Sequence, residues 1–279
     1  MKIGIVGLGL IGGSLGLKLQ SLNHTIYGIA NNEINEKKAK GKKLANFVSC
    51  DLSLLKNCEL IILALPIKDL IMPSQQLIAS IPQKTIVTDV GSVKEPIVNK
   101  WENLHPLYIG SHPMAGTEKK GVDSGFEDLF KNAKWIITPT KNSNSNAVRT
   151  ISELIKSMDC EVCKASPKEH DEAVSLISHL PVFLASTLIK TAYTKNNKAL
   201  LDLTQKLAAT GFADTSRVGG GNEKLGLDLA MNNQINVLNA INNFKKRLNT
   251  MESLIKEKNW ELLSKKLSEA KEIREKFIN

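Results

Sequence analysis

The 279 residues of this chain are 42% hydrophobic and 23% charged, which is the composition of a globular protein able to bury a large core. No stretch approaches the roughly 20 uncharged apolar residues that cross a bilayer, and the N-terminus does not resemble a signal peptide, so we expect a cytoplasmic protein without membrane contact. The net charge of +9 comes with only 5% aromatic residues and no DNA-reading motif, so we expect solvated basic helix faces that attract anionic small molecules, and no nucleic-acid partner.

The chain begins with a predicted strand, a glycine turn and a helix. Residues Lys2–Val6 predict a short buried strand, and apolar residues at helical spacing follow the turn. The turn reads Gly7, Leu8, Gly9, Leu10, Ile11, Gly12, the G-x-G-x-x-G pattern. Its first glycine permits the tight turn, the second leaves room for a pyrophosphate, and the third lets helix and strand pack closely. We predict nucleotide binding here; the alternative is a tight turn without a ligand.

The second predicted strand, Thr25–Ala30, ends where an NAD-binding unit usually carries an acid for the ribose hydroxyls. This chain has Ala30, Asn31 and Asn32 at that point. Because an acid would repel a 2′-phosphate, its absence favours NADP, with NAD as the alternative. The two asparagines can hydrogen-bond the phosphate, and Lys37–Lys38 can neutralise it. A simple polar turn before a charged helix is the other interpretation.

Strand and helix signals alternate to about residue 165, which predicts a parallel, doubly wound sheet. Further strands are expected at Leu60–Leu65, Thr85–Val90, Leu107–Gly110, Trp135–Thr138 and Cys160–Lys164. Helices are expected between them at Lys68–Ser80, Val93–Trp101 and Asn146–Met158. Leu65 and Pro66 close one strand at the carboxyl edge, where open α/β sheets bind ligands, so we assign them to the cofactor site.

After Pro167 the pattern changes to helix alone. Helices are expected at Lys168–Thr194, Lys198–Gly211, Leu225–Met251 and Trp260–Lys276. We therefore predict a Rossmann-type α/β domain at residues 1–167 and an all-α domain at residues 168–279. The apolar stripes of these helices are broader than a cofactor domain needs, which predicts a homodimer formed through the helical domain.

The four cysteines are Cys50, Cys58, Cys160 and Cys163. The last two have the spacing of a redox or zinc motif, but no second pair or nearby histidine completes a metal site. We expect free buried thiols and no metal.

Three polar clusters fall outside the regular periodicity. Residues Ser111–Glu118 follow a strand and place His112 on a loop, as a general base or as a cap. His179 interrupts an apolar helical region, as a core residue or a site residue. Within Asp214–Asn222, Arg217 precedes three glycines, which suits a carboxylate or phosphate clamp or an ordinary interhelix loop.

With these clusters, the sequence resembles the prephenate/arogenate dehydrogenase family of tyrosine biosynthesis over essentially its whole length. The matching segments are Gly-Leu-Gly-Leu-Ile-Gly-Gly-Ser at 7–14, Thr-Asp-Val-Gly-Ser-Val-Lys at 88–94, Ser-His-Pro-Met-Ala-Gly-Thr-Glu at 111–118, Ser-His-Leu-Pro at 178–181 and Asp-Thr-Ser-Arg-Val-Gly at 214–219. The first is common to many nucleotide enzymes, whereas the His-Pro-Met-Ala-Gly and Thr-Ser-Arg segments in this order are specific.

The resemblance implies oxidative decarboxylation of a cyclohexadienol, with hydride transfer to a nicotinamide. It also implies that His112 draws off the proton of the ring hydroxyl and that Ser92 supports the hydroxyl or the histidine. Arg217, from its own or the twin subunit, would hold the ring carboxylate. The other pocket residues that it implies are His179, Thr117 and Glu118.

Two departures from the family pattern bear on the substrate. Some relatives have a histidine where this chain has Val182, and we interpret the chain as a short, single-activity member without regulatory or mutase domain. Many such members use L-arogenate and NADP, so we expect arogenate ahead of prephenate, with Glu118 near the group that distinguishes them.

Two other functions fit parts of the sequence. A 3-hydroxyacid dehydrogenase would share the two-domain plan, but it would need a catalytic lysine in a glycine-rich motif, and we find no comparable motif in the helical part. A non-catalytic nucleotide sensor would keep the glycine turn and would need neither His112 nor Arg217.

Overall fold

The computed structural model describes residues 1–117 and 119–278, so Glu118 lies outside the described residues. The strands are β1 (Lys2–Val6), β2 (Thr25–Ile29), β3 (Phe47–Ser49), β4 (Leu60–Leu63), β5 (Ile86–Asp89), β6 (Tyr108–Pro113), β7 (Lys134–Thr138) and β8 (Glu161–Lys164). The helices are α1 (Leu10–Ser21), α2 (Glu33–Gly41), α3 (Ile67–Ile71), α4 (Gln75–Ser80), α5 (Glu95–Trp101), α6 (Ser145–Ser157), α7 (Pro167–Val174), α8 (Leu180–Ala192), α9 (Lys198–Leu207), α10 (Thr210–Ser216), α11 (Glu223–Asn232), α12 (Gln234–Lys256) and α13 (Trp260–Ile278).

The strands form one sheet in the order β3-β2-β1-β4-β5-β6-β7-β8. All pairs from β3 to β6 are parallel, and the order reverses direction between β1 and β4. This is the Rossmann arrangement, in which a ligand crevice opens at the carboxyl edge of the reversal point. The Rossmann-type fold followed by helices is therefore confirmed.

The prediction of an entirely parallel sheet is wrong at β7, which runs antiparallel to β6. The connection between them contains short 3-10 turns and no described α-helix. A parallel return needs a crossover that is usually helical, whereas an antiparallel neighbour does not.

Strand β6 extends further than predicted, to Pro113 instead of Gly110. Its last residues pair with β7, and His112 lies opposite Ile136. The expectation that His112 sits on a loop is therefore wrong. Because a strand in a sheet has little backbone freedom, the ladder itself positions this histidine.

Several predicted helices are divided in the structure. The helix expected at Lys68–Ser80 is α3 and α4, because Pro73 between them has no N–H to continue the hydrogen-bond ladder. The helix expected at Lys168–Thr194 is α7, a π-helical turn at Ser175–His179, and α8. The two helices expected next are likewise divided, into α9 with α10 and α11 with α12. Strand β3 was not predicted, because three residues at a sheet edge leave a weak pattern.

The sheet is covered on both faces, so its central strand β4 is apolar and buried throughout. Alternate residues of β1 enter different clusters: Ile3 and Ile5 pack with α1 and α6, whereas Val6 packs with α3 and α5. Cys58 and Cys160 are buried free thiols as expected, Cys163 is half-buried, and Cys50 is exposed, contrary to the expectation.

The run Pro167–Ala192 has the length and mean hydropathy, 1.5, of a helix able to cross a membrane, contrary to the expectation that no stretch has them. Only 22% of its most apolar window is buried. The run also carries buried polar side chains, His170, Asp171 and His179, and two of these contact the sheet domain. Such contacts are those of a helix packed within a protein domain.

The chain divides into two compact units, residues 1–233 and residues 234–279. The first contains the sheet and the helices through α11, and the second contains α12 and α13, which pack on each other. The last strand ends at Lys164 and α7 begins at Pro167. A functional boundary at residue 167 stays a prediction.

The close packing at Gly12 generates a test of the fold. A Cβ there would lie 1.9 Å from the carbonyl oxygen of Gly7. We expect Gly12→Ala to lower the free energy of unfolding by about 2 kcal/mol, since overpacking a core costs roughly 1–3 kcal/mol. Gly9→Ala is the matched control, because its Cβ would meet nothing within 4 Å. Thermal denaturation measures both; equal Tm values for the two variants would contradict the packing argument.

Candidate active site

The glycine turn after β1 leaves a space that an anionic group can fill. Gly7 has a φ of 94°, which favours glycine, and it brings the chain sharply into α1. The open space at Gly9 lies at the N-terminus of α1, which has no side-chain cap. Free N–H groups and the positive end of the helix dipole favour a phosphate there. The residues therefore fit the pyrophosphate of a dinucleotide.

The other residues of the turn serve mainly its packing. Leu8 is buried in the core, whereas Leu10 and Ile11 are half-buried in the first turn of α1. Leu65 lies against the turn, 3.4 Å from where a Cβ on Gly7 would be, and Pro66 is exposed at the start of α3. The structure thus brings Leu65 to the glycine turn, as predicted.

At the end of β2, both asparagines bind Asn35 of α2. Asn32 caps the helix by accepting from the backbone N–H of Asn35 at 2.9 Å, and Asn31 accepts from its side-chain amide at 2.7 Å. Ala30 is buried and donates its N–H to Ser49. The turn thus caps the charged helix α2, and a contact with the cofactor ribose stays a prediction.

The lysines after this turn differ in their partners. Lys38 pairs with Asp123 at 3.0 Å, and Lys42 also reaches that carboxylate, at 3.5 Å. Lys37 is exposed, and no ion pair of its ammonium is found among the described residues. Lys37 is thus the better candidate for neutralising an added phosphate.

A buried charge cluster lies at the carboxyl end of β5. Asp89 is fully buried and accepts hydrogen bonds from the Gly91 N–H at 2.8 Å, the Tyr108 hydroxyl at 2.6 Å and the Ser111 N–H at 3.2 Å. Lys94, also fully buried, pairs with Asp89 and donates to the Ser111 carbonyl at 2.8 Å. Burial lowers the pKa of Lys94, and the Asp89 carboxylate opposes this effect.

Three side chains near the carboxyl end of β6 form a hydrogen-bonded series. Nδ1 of His112 lies 2.9 Å from Nε2 of His170, and Nδ1 of His170 lies 2.7 Å from Oδ1 of Asp171. The two Asp171 oxygens accept the backbone N–H groups of Lys94 at 2.6 Å and Glu95 at 2.8 Å. Asp171 thereby holds α7 against the start of α5.

Both histidines singled out from the sequence are neutral at pH 7. Burial lowers the pKa of His112 well below its usual value of 6.5, and His170, Lys94 and His179 lower it further by charge repulsion. Burial lowers the pKa of His179 to about 4, although Asp171 opposes the shift. A neutral imidazole has one nitrogen that can accept a proton, so His112 has the state that a general base requires.

His179 is placed by the π-helical turn Ser175–His179. Pro181 follows it and has no N–H, so the ordinary hydrogen bond to the preceding turn is lost and the helix widens locally. His179 is fully buried, its Nδ1 lies 3.2 Å from the side-chain nitrogen of Asn233, and the backbone of Ser92 lies beside its ring. Its Nε2 makes no hydrogen bond of normal geometry among the described residues, although interaction with the Ser92 backbone raises the pKa of this ring against the effect of burial.

The remaining predicted site residues are less closely tied to His112. Ser92 is half-buried near His179, and Thr117 is exposed and accepts the Lys119 N–H at 3.2 Å. Arg217 is exposed in a 3-10 turn that packs on α8, where Ser186 donates to Gly219 at 3.1 Å. No described contact joins Arg217 to His112, so its role as a carboxylate clamp stays a prediction.

Sequence reasoning missed His170, Asp171 and Lys94. A weak signal was present, because His170 and Asp171 directly follow the capping box of Ser166 and Glu169 that begins the helical part. Their partners are 58 and 77 residues away in the chain, and no local pattern indicates that pairing.

Comparison with known proteins agrees with this arrangement. Residues 14–164 match the family profile described as prephenate dehydrogenase, nucleotide-binding domain, and residues 166–269 match prephenate dehydrogenase, dimerization domain. Prephenate dehydrogenase of Bacillus subtilis is 29% identical over 97% of this chain and 74% of its own length. Cyclohexadienyl dehydrogenase of Zymomonas mobilis is 26% identical over 98% of this chain and 94% of its own length.

Two solved structures are similar over nearly the whole chain. Arogenate dehydrogenase of Synechocystis is 36% identical, covers 100% of both chains and superposes with a TM-score of 0.87. Prephenate dehydrogenase of Aquifex aeolicus, in complex with hydroxyphenyl propionate and NAD+, is 29% identical over 99% of this chain and 98% of its own, with a TM-score of 0.92.

The glycine turn, the Rossmann strand order and these matches together identify a pyridine nucleotide as the cofactor. The neutral His112 at the sheet edge and the matched helical domain agree with the same assignment. The chain belongs to the prephenate/arogenate dehydrogenase family of oxidoreductases.

Proposed function

We propose that the chain is an arogenate dehydrogenase that prefers NADP and forms L-tyrosine. The observation that carries the proposal is His112: it is neutral, it is positioned by β6, and its Nδ1 is occupied by His170. One nitrogen therefore remains to meet a substrate hydroxyl. A nucleotide sensor would have no use for such a group.

The residues assigned to the reaction act on the hydroxyl and the carboxylate of the ring. When bound, the nicotinamide supplies the hydride acceptor. His112 accepts the hydroxyl proton as the hydride leaves the same ring carbon, and the proton returns to oxygen as the ring becomes aromatic and CO2 departs. Ser92 supports this contact. His179 lines the pocket with the backbone of Ser92 beside its ring.

The preference for arogenate rests on two observations. The chain is 36% identical to an arogenate dehydrogenase and 29% identical to a prephenate dehydrogenase of comparable length. Val182 on α8, half-buried and near Gly226, occupies a position where a histidine would add a polar contact. Prephenate, with a ketone in place of the amino group, is the alternative substrate.

Exposed apolar side chains support a homodimer. In the first unit, large hydrophobic residues are exposed on α9 and α11, among them Leu203, Leu207, Leu227 and Met231. In the second unit, Leu238 is exposed on α12. Residues 166–269 match a dimerization domain, so a second copy is the partner that such apolar faces fit. Arg217 lies in this part of the chain, and it reaches its own site or that of the twin subunit.

The decisive experiment follows reduced-cofactor absorbance with arogenate or prephenate and NAD or NADP, in all four combinations. The highest kcat/KM is expected for arogenate with NADP. A higher kcat/KM for prephenate would show that prephenate, and not arogenate, is the preferred substrate. Cofactor binding without turnover of either substrate would favour the sensor.

The cofactor preference is tested by Asn31→Asp. A carboxylate at the end of β2 would repel the 2′-phosphate and bind the ribose hydroxyls of NAD. We expect kcat/KM for NADP to fall about 10–100-fold, because like-charge juxtaposition costs several kcal/mol and each 1.4 kcal/mol is tenfold. The value for NAD should not fall. Asn35→Asp, at the half-buried residue of α2 that hydrogen-bonds Asn31, tests whether any charge added near this turn has the same effect. An unchanged preference in both variants would contradict the assignment.

The base is tested by His112→Asn. We expect kcat to fall roughly 10²–10⁴-fold, the usual contribution of a general base, with the Kd for NADP nearly unchanged. Stopped-flow or steady-state absorbance measures kcat, and fluorescence titration measures the Kd. His24→Asn, at a histidine that contacts the N-terminus, is the control. Full turnover by His112→Asn would refute the assignment.

The carboxylate clamp is tested by Arg217→Lys. A point charge replaces a planar fork that binds both carboxylate oxygens, so we expect KM for arogenate to rise about tenfold with a smaller change in kcat. Arg149→Lys, at an exposed arginine near Glu153 on α6, should leave both constants unchanged. An unaltered KM in Arg217→Lys would remove this residue from the pocket.

A further inference from the structure

We propose that His170 and Asp171 are positioning residues that hold His112 in the tautomer with its proton on Nδ1, so that Nε2 faces the substrate as the base. The inference rests on the proposed function for its catalytic consequence. Its structural part, the tautomer of His112, does not depend on which substrate is used.

Asp171 determines which atoms donate and which accept in the hydrogen-bonded series. One of its oxygens accepts the Lys94 N–H at 2.6 Å, and the other accepts the Glu95 N–H at 2.8 Å. Its own backbone carbonyl accepts the side-chain amide of Asn233 at 2.8 Å. A carboxylate that accepts backbone donors on both oxygens is an acceptor toward His170 as well, so Nδ1 of His170 carries the proton at the 2.7 Å contact.

The tautomer of His112 follows from that of His170. In an imidazole that carries its single proton on Nδ1, Nε2 is a lone-pair acceptor, which is the form of His170 that we propose. This atom lies 2.9 Å from Nδ1 of His112, and the rings meet edge to face at 70°. The hydrogen bond forms only if Nδ1 of His112 donates. The lone pair of His112 is then on Nε2.

The surrounding charges limit this pair of histidines to one additional proton. Lys94 and His179 also face the pair, and burial opposes a charge on His112. Two imidazolium rings would bring two N–H groups together at 2.9 Å. A proton taken up at Nε2 of His112 makes its Nδ1–H a stronger donor to His170, and Asp171 balances the positive charge that results. The series therefore supports the base during the reaction and returns the proton afterwards.

The elements that carry the three side chains are also held rigidly. His112 lies in the β6 ladder, and α7 begins at the capping box of Ser166 and Glu169. His170 is 2% exposed and Asp171 is 1% exposed. Side chains held in this way keep their hydrogen-bond partners, which is what an orienting role requires.

The first measurement is the tautomer itself, by ¹⁵N NMR of the histidine rings in the full-length protein without substrate, with His112 assigned by comparison with His112→Asn. Wild type is expected to show His112 protonated on Nδ1. His170→Leu is expected to show the Nε2-protonated form that neutral histidine favours in water. Nε2–H in wild type would overturn the proposal, even if His170→Leu does not fold.

The second measurement compares His170→Leu with His170→Gln by steady-state kinetics. Leucine has no acceptor, so kcat should fall about 100-fold, within the range of a general-base contribution, with KM changed less than about threefold. Glutamine can accept from Nδ1 of His112, so it should restore kcat to within about tenfold of wild type. His105→Leu, at a buried histidine that contacts Pro82, is the matched control for loss of a buried imidazole.

A double variant separates positioning from structural damage. If His170 acts through His112, adding His170→Leu to His112→Asn should lower kcat by less than about twofold, because groups that act as a unit are not additive. A full further 100-fold loss in the double variant, or wild-type kcat in His170→Leu, would overturn the proposal. Absence of turnover by the wild type with both substrates would instead refute the proposed function, whatever the tautomer.

Discussion

The backbone N–H of Lys94 donates to Asp171, and its ammonium group pairs with Asp89. One residue thus joins the carboxyl end of β5 to the first helix of the helical part. Both groups of the Lys94–Asp89 pair are fully buried, and losing one partner of such a pair typically costs about 3–5 kcal/mol, because the other charge stays buried. The positions of His112 and His170 depend on this connection.

The same lysine influences the chemistry of the site. Its positive charge lies near His112, and together with burial it keeps that ring neutral at pH 7. A neutral ring can accept a proton, whereas a protonated ring would be useless as a base. The carboxylates are arranged to balance this charge: Asp89 binds the ammonium group, and Asp171 lies behind His170. The site therefore combines a buried, neutral imidazole with a nearby carboxylate that can balance the charge of its protonated form.

The predicted cofactor site at the glycine turn depends on fewer interactions. Backbone geometry at Gly7, Gly9 and Gly12 produces the anion cradle, with no side chain required. In the turn after β2, the side-chain oxygens of Asn31 and Asn32 both accept hydrogen bonds from Asn35 of α2. The glycine turn thus depends on backbone shape, whereas the surroundings of His112 depend on buried charge.

Local patterns in the sequence were sufficient for the glycine turn, the alternating strands and the helical second part, because each is encoded within a few neighbouring residues. They were insufficient for the antiparallel β7, the strand position of His112 and the partners His170 and Asp171. These features depend on contacts between residues far apart in the chain. The tertiary structure decides them because a buried donor or acceptor must pair with whatever group packing brings within about 3 Å, at any sequence distance.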